Sequence, residues 1–150
     1  PIAEDELDSV QVPQISMDGA GNAFAIWGPR KGQVRSIVVN RFDLESGWGT
    51  PEPLFELGQF ESGFINDPNI AADSKGNALA VWVRNEEPRS EAYASRYVLG
   101  VGWSEPETLS EISTGETRSP TVGIDSLGRG LTTRSQSDGS RRNIWSGRFD

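Results

Sequence analysis

The chain has 150 residues, with 14 Lys and Arg against 22 Asp and Glu, and it contains neither Cys nor His. This composition excludes disulfides, thiol nucleophiles and imidazole bases. The net charge of −8 disfavours nucleic acid as a partner, because phosphate binding needs a basic surface.

Short apolar runs separated by Gly and Pro indicate β-structure. The chain has 17 Gly and 9 Pro, and between them Val, Ile, Phe and Trp alternate or cluster in fours and fives. Apolar residues do not recur at the three- and four-residue spacing of a helix, and no apolar run reaches the roughly 20 residues of a membrane span. We therefore predict an all-β chain that folds as a single domain over residues 1–150.

The first group of predicted strands starts at Pro13. The sequence reads PQISMDGAGNAFAIW there, continues as SIVVNRF from Ser36, and reaches GWGTPEPL at Gly47. Four strands are predicted: a short one around Ile15, one over NAFAIW, one over SIVVNRF, and one opened by the Gly-Trp pair. The fourth should lie at the sheet edge, since its prolines lack the amide hydrogen that a central strand donates.

An Asp-x-x-Gly turn joins the first two of these strands. Asp18 can accept hydrogen bonds from nearby backbone amides, and Gly21 can take a positive φ at no steric cost. One carboxylate per turn falls short of the six or more oxygens that calcium prefers. We therefore interpret the turn as a hairpin, and predict neither a metal site nor a cofactor.

The same pattern is written again further along the chain. The second copy reads PNIAADSKGNALAVW from Pro68, EAYASRY from Glu91 and GWSEPETL from Gly102, each 55 residues after its counterpart. A third, divergent copy follows at an offset of 52, with PTVGIDSLGRG from Pro120 and NIWSGRF from Asn143. The third copy stops before a Gly-Trp strand.

Units of about fifty residues with four antiparallel strands are typical of β-propeller blades. We predict about three blades, the third incomplete, over residues 13–67, 68–119 and 120–150, with residues 1–12 belonging to a blade edge. Three blades are too few to close a ring, and open blades expose apolar faces and strand edges. Either two copies associate into a six-bladed ring, or the chain is part of a longer array.

The repeat resembles a known group of proteins. Its Asp-x-x-Gly-Asn-Ala turn, Ile-Trp or Val-Trp pair, Arg-Phe or Arg-Tyr pair and Gly-Trp pair are similar to the tandem repeats of bacterial exported proteins of the β-propeller type, mostly of unassigned function. The resemblance covers Pro13 to Asp150 and implies an extracellular, periplasmic or cell-surface location. The third copy departs from the pattern, with Arg129 in place of Asn and Arg134 in place of Trp.

In a propeller, the loops between second and third strands share one face with the connections between blades. The predicted loops hold eight of the 14 basic residues: Arg30, Lys31, Arg35, Arg84, Arg89, Arg134, Arg141 and Arg142. The connections carry acidic residues: Glu4, Asp5, Glu6, Asp8, Glu56, Glu61, Glu111 and Glu116. Arginine forks at such a face would suit a polar ligand such as an acidic sugar. The alternative is solvated charges in weak surface pairs.

Tryptophan supplies a second kind of candidate. Trp27 and Trp82 close apolar strands, so we expect them in the core. Trp48 and Trp103 open the outer strand, where partial exposure would allow contact with a ligand, the alternative being packing against the adjacent blade. The full set of candidate ligand-binding residues is Arg30, Arg35, Arg84, Arg89, Arg141, Arg142, Trp48 and Trp103.

One basic residue recurs in every unit. Arg41, Arg96 and Arg148 each stand beside an aromatic residue at the same position of their repeats. A position repeated in every blade indicates a structural role. We expect each arginine to pair with a carboxylate of its own blade.

These observations favour a non-catalytic binding or interaction module that holds a glycan or a protein by its loop face. A purely structural segment of a larger propeller is the first alternative. The second is a glycoside hydrolase or sialidase-like enzyme built on two carboxylates, the one route to catalysis that this composition leaves open. No unrepeated pair of acids marks such a centre, so we predict that the protein is not an enzyme.

Overall fold

The structure is a computed structural model that describes residues 7–11, 13–59, 61–109 and 115–149. Within these residues the chain forms three antiparallel sheets and no helix, so the prediction of an all-β fold is confirmed. The first sheet contains β1 (Ser9–Val10), β2 (Gln14–Met17), β3 (Ala23–Trp27), β4 (Pro29–Lys31), β5 (Val34–Asp43), β6 (Gly47–Trp48) and β7 (Glu52–Leu57). The second contains β8 (Phe64–Ala72), β9 (Ala78–Glu86), β10 (Arg89–Val98), β11 (Gly102–Trp103) and β12 (Glu107–Thr108). The third contains β13 (Thr117–Ile124), β14 (Gly130–Ser137) and β15 (Arg142–Phe149).

Each sheet is an antiparallel meander when its interrupted strands are counted as one: β1 with β2, β3 with β4, β6 with β7, and β11 with β12. In the second sheet the order is β8, β9, β10, and then β11 and β12 side by side along the outer edge of β10. The first sheet repeats this order, with β6 and β7 on the outer edge of β5. The proline-containing fourth strand therefore lies at the sheet edge, as predicted. The third sheet has three strands among the described residues.

The three Asp-x-x-Gly segments are hairpin turns, as predicted from their residues. The glycines take the left-handed conformation, with φ of 89° at Gly21 and 82° at both Gly76 and Gly128. In the first turn the Asp18 amide donates to the Asn22 carbonyl at 2.9 Å, and its carboxylate accepts two backbone amides. Any residue with a Cβ would be strained at these glycine positions.

The first strand of each sheet begins earlier than the sequence predicted. We expected the second and third units to open at Pro68 and Pro120, but both prolines lie inside a strand, at a bulge where the register shifts. The preceding residues have positive φ, 53° at Asp67 and 50° at Ser119. A proline cannot donate to the ladder, so the chain accommodates it by displacing one residue from the register.

The N-terminal residues belong to the first sheet where the structure describes them. Ser9 and Val10 pair with Arg30 and Pro29, so β1 and β2 together form the first strand. Ser9 and Val10 thus extend the first strand of this sheet to a point before the predicted start at Pro13. Residues 1–6 and 12 lie outside the described part of the chain.

The three sheets stack face to face, with their first strands next to one another. β8 packs against β2, β3 and β5, and β13 packs against β8, β9 and β10. The larger core lies between the first two sheets, where Phe24 and Ile26 meet Trp82. Trp27 and Trp82 are both buried, as predicted. A smaller core of Leu79, Val81 and Ala94 faces the third sheet.

The interface between the second and third sheets contains buried polar side chains. Thr132, Arg134 and Gln136 point from β14 into it, and the Arg134 Nε donates to the Gln136 Oε1 at 3.1 Å. We expected Arg134 in a loop, but it occupies the buried position that Trp82 holds one repeat earlier. Arg134 keeps this buried strand position although its side chain is charged, because the interface here is polar rather than aromatic.

Candidate ligand-binding face

The loop face is the end of the sheets that carries the turns β4–β5, β9–β10 and β14–β15, together with the connections between sheets. The turns are shorter than predicted: β9 runs to Glu86 and β10 starts at Arg89. Charged residues of both signs meet here, as expected. The Arg84 Nη2, for instance, lies 3.6 Å from the Glu61 Oε1. The predicted acids Glu4, Asp5, Glu6 and Glu111 lie outside the described residues.

Arg84 is half-buried on the loop face, with its side chain 23% exposed. Its Nη2 lies 3.0 Å from the Glu86 Oε2 and 3.6 Å from the Glu61 Oε1. The guanidinium carbon lies 5.9 Å from the centroid of the Phe55 ring, so the group also makes a cation–π contact. Glu61 comes from the connection between the first and second sheets, so Arg84 ties that connection to β9.

Tyr93 lies behind this cluster, in the aromatic core. Its hydroxyl donates to the Glu91 Oε2 at 3.1 Å, and its ring stacks on Trp82 with a centroid distance of 6.2 Å. Burial and the hydrogen bond to Glu91 raise the pKa of Tyr93. The hydroxyl therefore stays protonated at neutral pH and acts as a hydrogen-bond donor.

Arg30 and Arg35 occupy the first-sheet part of the loop face. The Arg35 Nη1 donates to the Gly63 carbonyl at 3.0 Å, which fixes the connection to the second sheet. The Arg30 Nε donates to the Gly32 carbonyl at 3.0 Å, within its own turn. Arg35 is half-buried and Arg30 is exposed. Both side chains bond to backbone carbonyls of the protein, so both have a structural role.

Glu116 organises the third-sheet part of the loop face. Its carboxylate accepts the Arg118 Nη2 at 2.7 Å and the Arg142 Nη2 at 2.8 Å. The hydrogen bond from Arg118 is the main cause that lowers the pKa of Glu116, and Arg142 adds to it. Glu116 is therefore an ionised carboxylate at neutral pH.

Arg141 lies apart from this group, in the β14–β15 turn. Its side chain is 78% exposed, and its Nε lies 3.7 Å from the Asp138 Oδ2. Asp138 caps the turn by accepting the backbone amides of Arg141 and Ser140, and these bonds lower its pKa to about 2. The interpretation of Arg141 as a solvated loop charge fits this geometry better than a role in a shared site.

A pocket of about 550 Å³ opens on the loop face between the second and third sheets. Its lining includes Phe64, Asn85 and Arg89 together with the acidic residues Glu87 and Glu116. Phe64 is 50% exposed, so part of its ring is free to contact a ligand. The pocket thus combines an apolar surface with hydrogen-bonding groups of both signs.

Trp48 and Trp103 lie at the opposite end of the sheets from the candidate arginines. They follow the β5–β6 and β10–β11 turns, where their strands pair with Phe42 and Tyr97. Trp48 contacts Phe42 at a centroid distance of 5.4 Å, and Trp103 contacts Tyr97 at the same distance. The structure therefore does not bring the tryptophans and arginines into one site.

The recurring arginines make contacts of different kinds. Arg41 forms the predicted pair with a carboxylate, with its Nη1 3.5 Å from the Asp43 Oδ2. The Arg96 Nη2 donates to the Gly128 carbonyl, in the turn of the following sheet. This second contact joins two sheets and confirms a structural role for Arg96.

Sequence reasoning missed Phe64, although the repeat contains a signal for it. The positions equivalent to Phe64 are occupied by Ser9 in the first unit and Glu116 in the third. Since the other two units have a polar residue at this position, an aromatic side chain here is not required for the packing of the repeat. Such a residue marks a place where one unit differs from the others.

Among the described residues, no cluster of three or more acidic side chains is placed to hold a metal ion. That part of the chain also has no helix able to cross a membrane.

The comparisons with known proteins give a likeness of fold. No family model and no curated protein matches the chain. A solved structure, an endo-arabinase from Bacteroides thetaiotaomicron VPI-5482, superimposes with a TM-score of 0.58 and 17% identity over 100% of this chain. The chain shares the fold of this endo-arabinase. It spans 61% of the length of the endo-arabinase chain, and at this identity the likeness is one of fold alone.

Proposed function

We propose that the three sheets are blades of a β-propeller and that the loop face binds a neutral carbohydrate without cleaving it. Antiparallel meanders, stacked face to face with their first strands adjacent, support the blade arrangement. The fold shared with an endo-arabinase supports it further. The proposal includes that the protein is bacterial and exported, as the repeat resemblance implies. Such a location would suit a polysaccharide ligand, since polysaccharides occur mainly outside the cell.

The half-exposed Phe64 beside Arg89 and Asn85 in one pocket is the observation that carries the proposal. A sugar ring has an apolar face of C–H groups and a rim of hydroxyls. An aromatic ring matches the first, and planar guanidinium and amide groups match the second. Binding pockets generally combine an apolar surface with a few placed polar groups in this way.

The charges at the pocket favour a neutral ligand over an acidic one. Arg89 lines it together with Glu87 and Glu116. Glu116 is already held by Arg118 and Arg142, so these two arginines are engaged with a protein carboxylate. Sugar hydroxyls both donate and accept hydrogen bonds, and therefore suit a pocket that offers both signs.

The state of Glu116 argues for binding rather than catalysis. The acid of a glycoside hydrolase needs a raised pKa, so that it carries a proton at working pH. Arg118 and Arg142 lower the pKa of Glu116 instead. As a carboxylate, Glu116 can accept hydrogen bonds from sugar hydroxyls but has no proton to give to a leaving group.

Glycoside hydrolysis is the second candidate function. Two carboxylates, Glu87 and Glu116, line the same pocket, and the fold is shared with an endo-arabinase. Release of reducing ends from arabinan by the chain, abolished by Glu116→Gln, would establish this function in place of simple binding. A purely structural role would be indicated if the folded chain bound no carbohydrate.

A polysaccharide panel with matched variants tests the proposal. Affinity for the best ligand should fall on the order of tenfold or more in Phe64→Ala and Arg89→Ala, as expected for loss of about 1.4 kcal/mol of contact energy. Val101→Ala and Lys75→Ala change exposed residues at the opposite end and should bind like the parent chain. Equal binding by all four variants would contradict the site, and a folded chain that binds no polysaccharide would contradict the function.

A further inference from the structure

The outer faces of the first and third sheets expose apolar residues that are covered at the inner interfaces. Ile15 and Met17 of β2 are exposed, although Ile70, the counterpart of Ile15, is buried against the first sheet. On the third sheet, Leu131 is 62% exposed and Ile144 is 75% exposed. Their counterparts Leu79 and Ala92 are fully buried in the second sheet.

The two inner interfaces repeat one docking geometry at the Asp-x-x-Gly turns. A Cβ built on Gly76 would lie 3.6 Å from the Asp18 Oδ2, and one built on Gly128 would lie 3.7 Å from the Asp73 Oδ2. Each turn therefore rests against the aspartate of the turn before it. The same spacing recurs at both interfaces although one core is aromatic and the other contains buried polar groups.

The outer face of the third sheet carries the residues that receive such a turn. A cavity of about 510 Å³ there is lined by Asp125, Leu131 and Arg148, among others. Their counterparts 52 residues earlier are Asp73, Leu79 and Arg96. In the inner interface Arg96 donates to the Gly128 carbonyl, and the Leu79 side chain lies directly against Gly130. The residues of this cavity therefore correspond to those of the second sheet against which the third turn packs.

We infer that this cavity receives the Asp18–Gly21 turn of a second copy of the chain, so that two copies close head to tail into a ring of six sheets. The first turn shares the Asp-x-x-Gly pattern and the positive φ at its glycine with the third turn, which packs against the second sheet. Six sheets lie within the range of 4 to 8 that closed propellers contain. Closed symmetric assembly covers both outer faces at once. The inference rests on the blade arrangement proposed above, but not on carbohydrate binding.

Engineered cysteines can report this contact, because the chain has no cysteine of its own. A Cβ built on Gly19 would lie 3.5 Å from the Ser74 Cβ, within the range of disulfides. Ser126 is the counterpart of Ser74 in the third turn. The pair Gly19→Cys with Ser126→Cys should therefore cross-link two copies. Gly19→Cys with Ser74→Cys should close within one chain, and Val101→Cys with Ser126→Cys should not cross-link.

Mild oxidation followed by mass analysis gives the outcome. We expect the 19/126 variant to form a covalent pair of 16.3 kDa chains, while the 19/74 control stays at the mass of one chain. Sedimentation of the unmodified chain should show a dimer whose dissociation constant rises at least tenfold in Leu131→Glu. A monomer in sedimentation would overturn the inference. So would a ladder of higher oligomers, or failure of the 19/126 pair to cross-link where the 19/74 control closes.

Discussion

At the scale of single residues, the Asp-x-x-Gly-Asn turns are held by a network that joins two turns at one end of a sheet. The Asp73 carboxylate accepts the Lys75 and Asn77 amides at 2.8 and 2.9 Å, and the Asn77 Nδ2 at 2.8 Å. The Asn77 Oδ1 in turn accepts the Leu99 amide at 3.1 Å, from the turn after β10. One asparagine therefore ties the first hairpin to the last.

Removal of this asparagine should weaken the fold. Asn77→Ala removes the side-chain donor to the buried Asp73 carboxylate, which keeps its two backbone amide donors, and it removes the acceptor of the Leu99 amide. The loss should cost about 1–3 kcal/mol of unfolding free energy. Urea denaturation measures the loss, and Lys75→Ala, an exposed neighbour in the same turn, should change stability by less than about 0.5 kcal/mol. Equal stability of the Asn77 and Lys75 variants would show that the tie is unimportant.

Acid should destabilise the chain through its turn aspartates. Burial tends to raise the pKa of Asp73, but hydrogen bonds from Asn77 and Lys75 outweigh it and lower the pKa overall. In the third sheet, the Arg141 and Ser140 amides lower the pKa of Asp138 to about 2. Since both values lie below the ordinary value of about 3.9, the stability they contribute is complete above about pH 4 and is lost as pH falls through the folded-state pKa.

Melting temperature against pH tests this expectation. The melting temperature of the parent chain should fall as pH is lowered from about 4 towards about 2, the value for Asp138. Asp73→Asn and Asp138→Asn should each flatten this decline, because a titrating group that binds a proton on unfolding is removed. An acid limb that is unchanged in both variants would contradict the assignment.

At the scale of strands, the bulge before each repeat proline is the main departure from regular structure. Ser119 holds a φ of 50° immediately before Pro120, although it is not a glycine. The left-handed conformation costs an L-residue about 1–2 kcal/mol, and most for β-branched side chains. The bulge persists because it lets the proline stay within β13 while the ladder continues on both sides.

Substitutions at Ser119 should separate backbone strain from side-chain contacts. Ser119→Val should be less stable than Ser119→Gly by about 1–2 kcal/mol, since only glycine takes this φ without strain. Ser146→Val, at a regularly paired position of β15 where φ is not positive, serves as the control for the change to a β-branched side chain. Thermal denaturation measures the difference. If the Val and Gly variants were equally stable, the positive φ would not be a source of strain.

The fold was predictable wherever local chemistry decides structure. Asp18 with Gly21 specifies a hairpin by itself, and Trp82 at the end of an apolar strand specifies burial. The bulges at Pro68 and Pro120 were not predictable. A proline has no amide hydrogen to donate, and both the first position of a strand and a bulge tolerate that loss. Their difference lies in pairing with a neighbouring strand, which the local residues do not encode.

The candidate face was predictable in composition but not in detail. The sequence placed Arg84 and Glu61 at one end of the sheets, and the structure pairs them. It also grouped Trp48 with the arginines, and the structure places that residue at the opposite end. The pocket beside Phe64 depends on how the second and third sheets meet, which follows from stacking rather than from any one segment.

At the scale of the whole molecule, the two interfaces between sheets differ in kind. The first is filled by aromatic and aliphatic residues, with Trp82 at its centre. In the second, Thr132 and Arg134 stand where the previous repeat has Ala80 and Trp82. Buried polar groups contribute less net stability than apolar packing, because their desolvation offsets much of the gain.

The third sheet should therefore open more readily than the other two. Amide hydrogen exchange should be at least tenfold faster for the central residues of β14 than for those of β9, since local opening follows local stability. Both strands are flanked by paired neighbours, so ladder bonding is matched between them. Uniform exchange across the three sheets would instead indicate one cooperative unit.

Carbohydrate binding at the loop face is most directly tested by an NMR titration of the labelled chain with a neutral arabino-oligosaccharide. The structure predicts saturable shifts of the amides of Phe64, Asn85, Arg89 and Glu116, which line the pocket. The Asp-x-x-Gly turns at the opposite end should remain unshifted. Absence of shifts at high ligand concentration, or shifts centred on Gly21 and Gly76, would contradict the proposed site.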